Sequence, residues 1–199
     1  MLGKNLRQRS LRDFWSIFFL IINIFPWYYM VLRIRDNILS IPEMSKYSVI
    51  ANIVFSCSIA IASLLGALLS SKVARDRLLL IWITIGVAIS LLPITFIYDH
   101  SILAIVIVFS ILGSGFGFGI PSCLSYFGNI VTIEKRGLFA GIIFLIVQLL
   151  LIPIVALLSG LDIFSSSLFL AVWRAFGLLF LASRVKEKPM LHTKSQSSY

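Results

Sequence analysis

The chain has 199 residues, of which 59% are hydrophobic and 13% charged, and its mean hydropathy is +1.02. A soluble core of this length cannot use so much apolar material, so the natural solvent is lipid. The net charge of +9 is what a cytoplasmic excess of Lys and Arg gives a membrane protein, which leaves no need for a nucleic-acid partner.

Residues 1–13, MLGKNLRQRSLRD, form a basic cytoplasmic N-terminus. The apolar run 14–32 shows neither the short apolar region nor the small-residue cleavage site of a signal peptide, so it reads as a retained first membrane span. Pro26 within it frees a backbone carbonyl, and Asn23, about one turn earlier, faces a cavity or hydrogen-bonds a neighbouring helix. A loop of mixed charge, 33–46, leads to a second span at 49–69, whose small residues, Gly66 among them, indicate close helix packing. The basic turn 70–77, which includes Arg75, leads into a third span at 78–97, and the tight turn 98–101 makes a hairpin with the fourth span at 102–123.

The fourth span holds the most informative stretch, GSGFGFGIP. At 100° per residue, Gly113 lies over Gly117 and Gly115 over Gly119, so two faces of one helix each carry a pair of small residues. A dinucleotide-binding glycine loop would follow a strand and open a helix, whereas these glycines close an apolar span before Pro121. A charged loop, Glu134-Lys135-Arg136-Gly137, then leads to a fifth span at 138–158 with Gln148 and Pro153 inside it. After the tight turn 159–162 the sixth span, 163–182, holds Arg174, and the polar tail 183–199 reads as a disordered segment or linker. Each span has about 20 residues, enough to cross a bilayer. Thirteen Lys and Arg fall on one side of this topology and three on the other, which places both termini in the cytoplasm.

Taken together, these features resemble the amino-terminal half of a major facilitator superfamily transporter over nearly all of residues 14–188. The likeness rests on six spans with both ends inside, the fourth-span glycines followed by Pro121, and the Arg136-Gly137 loop before a fifth span that opens with Gly141. It implies an all-α membrane fold, six transmembrane helices forming half of a major facilitator bundle built as two three-helix repeats. It also implies alternating access around a midplane cavity lined by the first and fourth helices. The loop after the second span keeps only Gly66, Leu68 and Arg75 of the family's pattern. Phe109 stands where the family's proton antiporters often carry arginine, which argues against proton-coupled antiport. Family members have two six-span halves, so the expectation is a shortened product of a longer transporter gene; a half-transporter that dimerises, a split gene product and a fragment compete with it.

Arg174 is the only charge deep in a span, and an arginine at the bilayer centre costs about 2.5–3.5 kcal/mol on insertion scales. It either snorkels, pairs structurally or contacts substrate; snorkelling is awkward because helical side chains lean toward the helix N-terminus, here the outer end. Asn23, Gln148 and Arg174 are the candidate substrate-binding residues, and each amide has an interhelical hydrogen bond as its plainer role. Gly66, Gly113, Gly115, Gly117, Gly119 and Pro121 are packing and gating candidates, and Arg75, Glu134, Arg136 and Gly137 are candidates for cytoplasmic loop motifs. Neither histidine lies near a serine or cysteine within a span, and the acids lie in loops, termini or span ends, so no enzyme, metal or cofactor is expected. The expected function is secondary active transport of a small solute across the cell membrane, with a second six-helix half or a homodimer partner completing the cavity. The alternatives are a six-span substrate-binding subunit of an ATP-driven transport complex, which would copurify with an ATPase, and a non-transporting assembly protein.

Overall fold

The computed structural model describes residues 2–70 and 75–186, except for the side chains of 2–14, 16, 17, 75, 76, 130 and 180–186. Those of the expected turn 70–77 that fall at 71–74, and the tail from 187 on, lie outside the described residues.

Among the described residues the fold is helical throughout. The elements are α1 (Leu2–Leu39), α2 (Pro42–Ser45), α3 (Ser48–Ser70), α4 (Arg75–Ile89), a 3-10 turn (Leu92–Ile97), α5 (Ile102–Gly117), α6 (Ile120–Ile130), α7 (Ile133–Ser159) and α8 (Ile163–Lys186). Five stretches are long and apolar enough to cross a membrane: Phe18–Leu39, Ser48–Ser70, Arg77–Ile97, Ile102–Asn129 and Ile133–Ser159. The apolar part of α8, Ile163–Leu179, is shorter. An integral membrane protein follows, because helices satisfy their own backbone where lipid cannot.

Several helices outrun the apolar segments expected from sequence. The expected loop 33–46 is mostly helix, since α1 continues through Arg33, Arg35 and Asp36 to Leu39 before the short α2. Ile34 and Ile38 are buried while Asp36 is exposed, so an amphipathic stripe extends the helix past its membrane-compatible part. Glu134-Lys135-Arg136-Gly137 likewise lies in the first turns of α7, where Glu134 complements the positive end of the helix dipole. The loop there shrinks to Val131 and Thr132, and Arg136 closes it by donating to the carbonyls of Val131, at 3.0 Å, and Gly128 at the end of α6.

The two tight turns are built by side-chain caps. Ser101 accepts from the backbone N–H of Ala104 at 3.1 Å, and Asp162 accepts from that of Ser165 at 3.3 Å. Hydrogen bonding by Ser165 holds the Asp162 carboxyl below its ordinary range.

The third and fourth spans are both interrupted. Pro93 falls in the 3-10 turn that follows α4. In the fourth span the helix gives way to a turn at Phe118 and Gly119, just before Pro121, although the Phe118 N–H still reaches the Ser114 carbonyl at 3.0 Å. Pro121 has no N–H to give the Gly117 carbonyl four residues back; Ser63 Oγ on α3 donates to it instead, at 3.1 Å. The Gly115 carbonyl accepts from the Trp82 indole N–H on α4. Neighbouring helices thus satisfy the broken segment, as a lipid environment demands.

The most extensively packed pairs are α3 on α5, α1 on α8, α4 on α8 and α1 on α7; α6 packs against α3, α1 and α4, the 3-10 turn against α8, and α4 against α5. Glycines set the α3–α5 approach. A Cβ at Gly113 would stand 2.5 Å from the Phe55 carbonyl oxygen, at Gly117 2.3 Å from that of Ile59, and one at Gly66 2.0 Å from that of Phe118. The other glycine pair of the fourth span faces elsewhere, with Gly115 against Ile89 and Gly119 against the Trp82 ring.

Candidate functional site

The interior of the bundle is closed by aliphatic and aromatic side chains, and among the described residues one of a charged type, an arginine, lies between them. Arg174 on α8 is completely buried. Its position is prepared by small residues: a Cβ at Gly86 on α4 would lie 2.6 Å from Arg174 Nε, so only glycine there leaves room for the guanidinium.

Two indoles flank that guanidinium. Its Cζ lies 4.9 Å from the centroid of the Trp27 ring on α1 and 4.4 Å from that of Trp82 on α4. Both rings are themselves held by hydrogen bonds. Trp27 donates to Ser90 Oγ at 2.8 Å, Ser90 donates to the Gly86 carbonyl at 2.7 Å, and Trp82 donates to the Gly115 carbonyl. Two desolvated cation–π contacts at about 2 kcal/mol each are of the same size as the insertion cost of the arginine, about 3 kcal/mol. The charge is therefore balanced by aromatic faces.

Asn23 on α1 completes the arrangement. Its Nδ2 donates to the Trp173 carbonyl at 2.7 Å, and its own backbone carbonyl accepts from the Trp173 indole at 3.0 Å, a reciprocal clasp between α1 and α8. The Asn23 Oδ1 accepts from Arg174 Nη1 at 3.3 Å, and Gly177 provides the space, since a Cβ there would lie 2.4 Å from Asn23 Cγ. Arg174 Nε and Nη2 are buried with no hydrogen-bond partner among the described residues. No described carboxylate meets the guanidinium either; Asp36, Glu43, Asp99, Glu134 and Asp162 are all exposed.

The fold brings Asn23 and Arg174 together and leaves Gln148 apart, exposed near the middle of α7. Of the other candidates, Gly66, Gly113 and Gly117 meet the α3–α5 seam, Gly115 and Gly119 face the side chains of α4, and Pro121 follows the break between α5 and α6. Arg136 caps α6, Glu134 and Gly137 are exposed at the start of α7, and the side chain of Arg75 lies outside the described set. Trp27, Trp82, Gly86 and Ser90 are not singled out by sequence reasoning. A signal exists for Trp27, because tryptophan favours the membrane interface and this one falls in the middle of an apolar span.

Trp82 also lines an apolar groove of about 340 Å³ between α4 and α5, bounded by Ile81, Ile85, Ile111 and Phe118, with Ser110 and Ser114 its polar points. Among the described residues no three His, Cys, Asp or Glu side chains gather where a metal ion could be held. No protein-family description, no curated protein and no solved structure matches this chain.

Proposed function

We propose that the chain is one six-helix half of a secondary active transporter of the major facilitator type, carrying a small solute by alternating access across the cell membrane. Both termini are cytoplasmic in this reading, and a second six-helix unit, a further copy of this chain, completes the cavity.

The observation that carries the reading is an uncovered amide near the middle of α7, on a helix face that also carries two glycines. Gly137, Gly141 and Gln148 share one face of α7 and are exposed, and a Cβ at Gly137 or Gly141 would meet nothing within 4 Å. Asn52 and Ser56, one turn apart on α3, are exposed as well. An amide facing hydrocarbon is unfavourable, so such a face calls for another protein surface or water. α3 and α7 are also the least covered spans, with 17% and 28% of their apolar windows buried against 39–50% in the other three long spans.

The packing order adds support. Numbering the apolar segments one to six, the close pairs are two with four, one with four, one with five, one with six, three with four and three with six. Exchanging segments one, two and three for four, five and six maps that set onto itself, as two interlocked three-helix repeats would.

The test is crosslinking between copies. With Cys57→Ser removing the exposed native thiol, Gln148→Cys is expected to give a covalent dimer in membranes under mild oxidation, and Phe176→Cys on α8 is expected to give none. Equal crosslinking at both positions, or none at 148 together with solute uptake by a demonstrated monomer, would remove this reading.

A further inference from the structure

The guanidinium of Arg174 has two edges, and the structure treats them differently. The Nη1 side meets Asn23 Oδ1, while Nε and Nη2 are both buried and both unpartnered among the described residues. Those two N–H groups point the same way in the guanidinium plane and form the fork that matches the two oxygens of a carboxylate. Elsewhere in this chain the same Nε and Nη2 pair does engage a carboxylate: Arg35 donates through both to Asp36 Oδ1, at 3.1 and 2.9 Å.

The energetics separate charge from hydrogen bonding. The two indoles offset the cost of the charge, but a ring face cannot accept an in-plane N–H bond directed away from it. Each buried donor left unmade costs about 1–3 kcal/mol. A group that supplies two in-plane acceptors therefore gains most here. One positive charge in this setting also selects for one negative charge, because a dianion would leave a net charge in an apolar interior.

We propose that the Nε/Nη2 edge of Arg174 is a binding site for the carboxylate of a monoanion, held between α1, α4 and α8 beside Trp27 and Trp82. The edge is out of contact with solvent in this structure, and Gly86 of α4 packs against Nε, where an added Cβ would stand 2.6 Å away, so a carboxylate is admitted only when α4 moves away from Arg174. Trp82 is the side chain common to the guanidinium and to the α4–α5 groove. As the site of the carried solute, this assignment rests on the transport reading; as a binding site it stands on Arg174 alone.

The experiment is a tryptophan-fluorescence titration of the full chain in lipid nanodiscs, since Trp27 and Trp82 report on the site directly. Sodium butyrate is expected to give a saturable change that butanol and sodium sulfate do not. Oleate, delivered in the bilayer, separates a lipid-borne acid from a soluble one: a response to butyrate identifies a soluble solute, and a response to oleate alone identifies a membrane-borne acid. Arg174→Lys keeps the charge but loses the fork, and is expected to weaken half-saturation by about tenfold or more. Arg174→Met is expected to abolish the response. No response to either acid, an equal response to butanol, or a full response in Arg174→Met would overturn the proposal. Should Arg174→Met not give monodisperse protein, the comparison of butyrate with butanol in the native chain decides by itself. Carboxylate binding without uptake of the bound acid into proteoliposomes would keep the site and remove the transport reading. Uptake of a neutral solute with no carboxylate response would do the reverse.

Discussion

At the scale of single residues, Arg174 depends on glycines that no local rule singles out. Gly86 and Gly177 keep open the places that Arg174 Nε and Asn23 Cγ occupy, at 2.6 and 2.4 Å from an added Cβ. An arginine on a free surface would move aside for one methyl group; this one is held by two aromatic rings and Asn23, so the strain has nowhere to go. Gly86→Ala is accordingly expected to lower stability by about 1–3 kcal/mol, the usual cost of overpacking. A red shift of tryptophan emission should accompany it as Trp27 and Trp82 lose their packing. Unchanged melting and emission would show that the guanidinium is free to shift. Arg174 itself is legible in the sequence, because a lone charge within an apolar span has few acceptable surroundings. Its aromatic neighbours are not, since they come from α1 and α4, 147 and 92 positions away along the chain.

At the scale of elements, the fourth span shows how a glycine pattern acquires meaning. Helical geometry alone assigns its glycines to two faces, but not what each face meets. The fold sets Gly113 and Gly117 against backbone carbonyls of α3, which cannot rotate away, and Gly119 against an indole. Gly117→Ala should therefore force α3 and α5 apart and lower the melting temperature clearly. Gly141→Ala, in open space on α7, should be neutral or raise stability by up to about 1 kcal/mol through helix propensity. Thermal unfolding of the two variants in the same detergent checks the contrast, and similar losses in both would show that the α3–α5 seam is not set by its glycines. The break before Pro121 can be anticipated from the proline. That Ser63 and Trp82 supply the missing donors cannot, because the repair is made by side chains on other helices.

At the scale of the whole molecule, the bundle has a closed interior around Arg174 and an uncovered face on α7 that carries Gln148, and the two have different consequences. The interior belongs to one chain and should survive dilution. In the transport reading the face that carries Gln148 meets a second copy, so native mass spectrometry of the chain released from nanodiscs is expected to find two copies, with Gln148→Leu shifting the population to one copy while the fluorescence of the buried tryptophans stays unchanged. Two copies persisting in Gln148→Leu would place the contact on another face.

The sequence by itself determined that this chain is a set of apolar helices in lipid, because runs of about 20 apolar residues leave the backbone no other way to satisfy itself in hydrocarbon. It also marked Arg174, Pro121 and the fourth-span glycines as positions under special constraint. Only the tertiary structure decided that Asn23 and not Gln148 meets Arg174, that two indoles carry its charge, and that its Nε and Nη2 edge is left without a hydrogen-bond partner among the described residues. The physical reason is that periodicity fixes which residues share a face within one helix, whereas the meeting of faces from different helices depends on side-chain shape and close backbone approach.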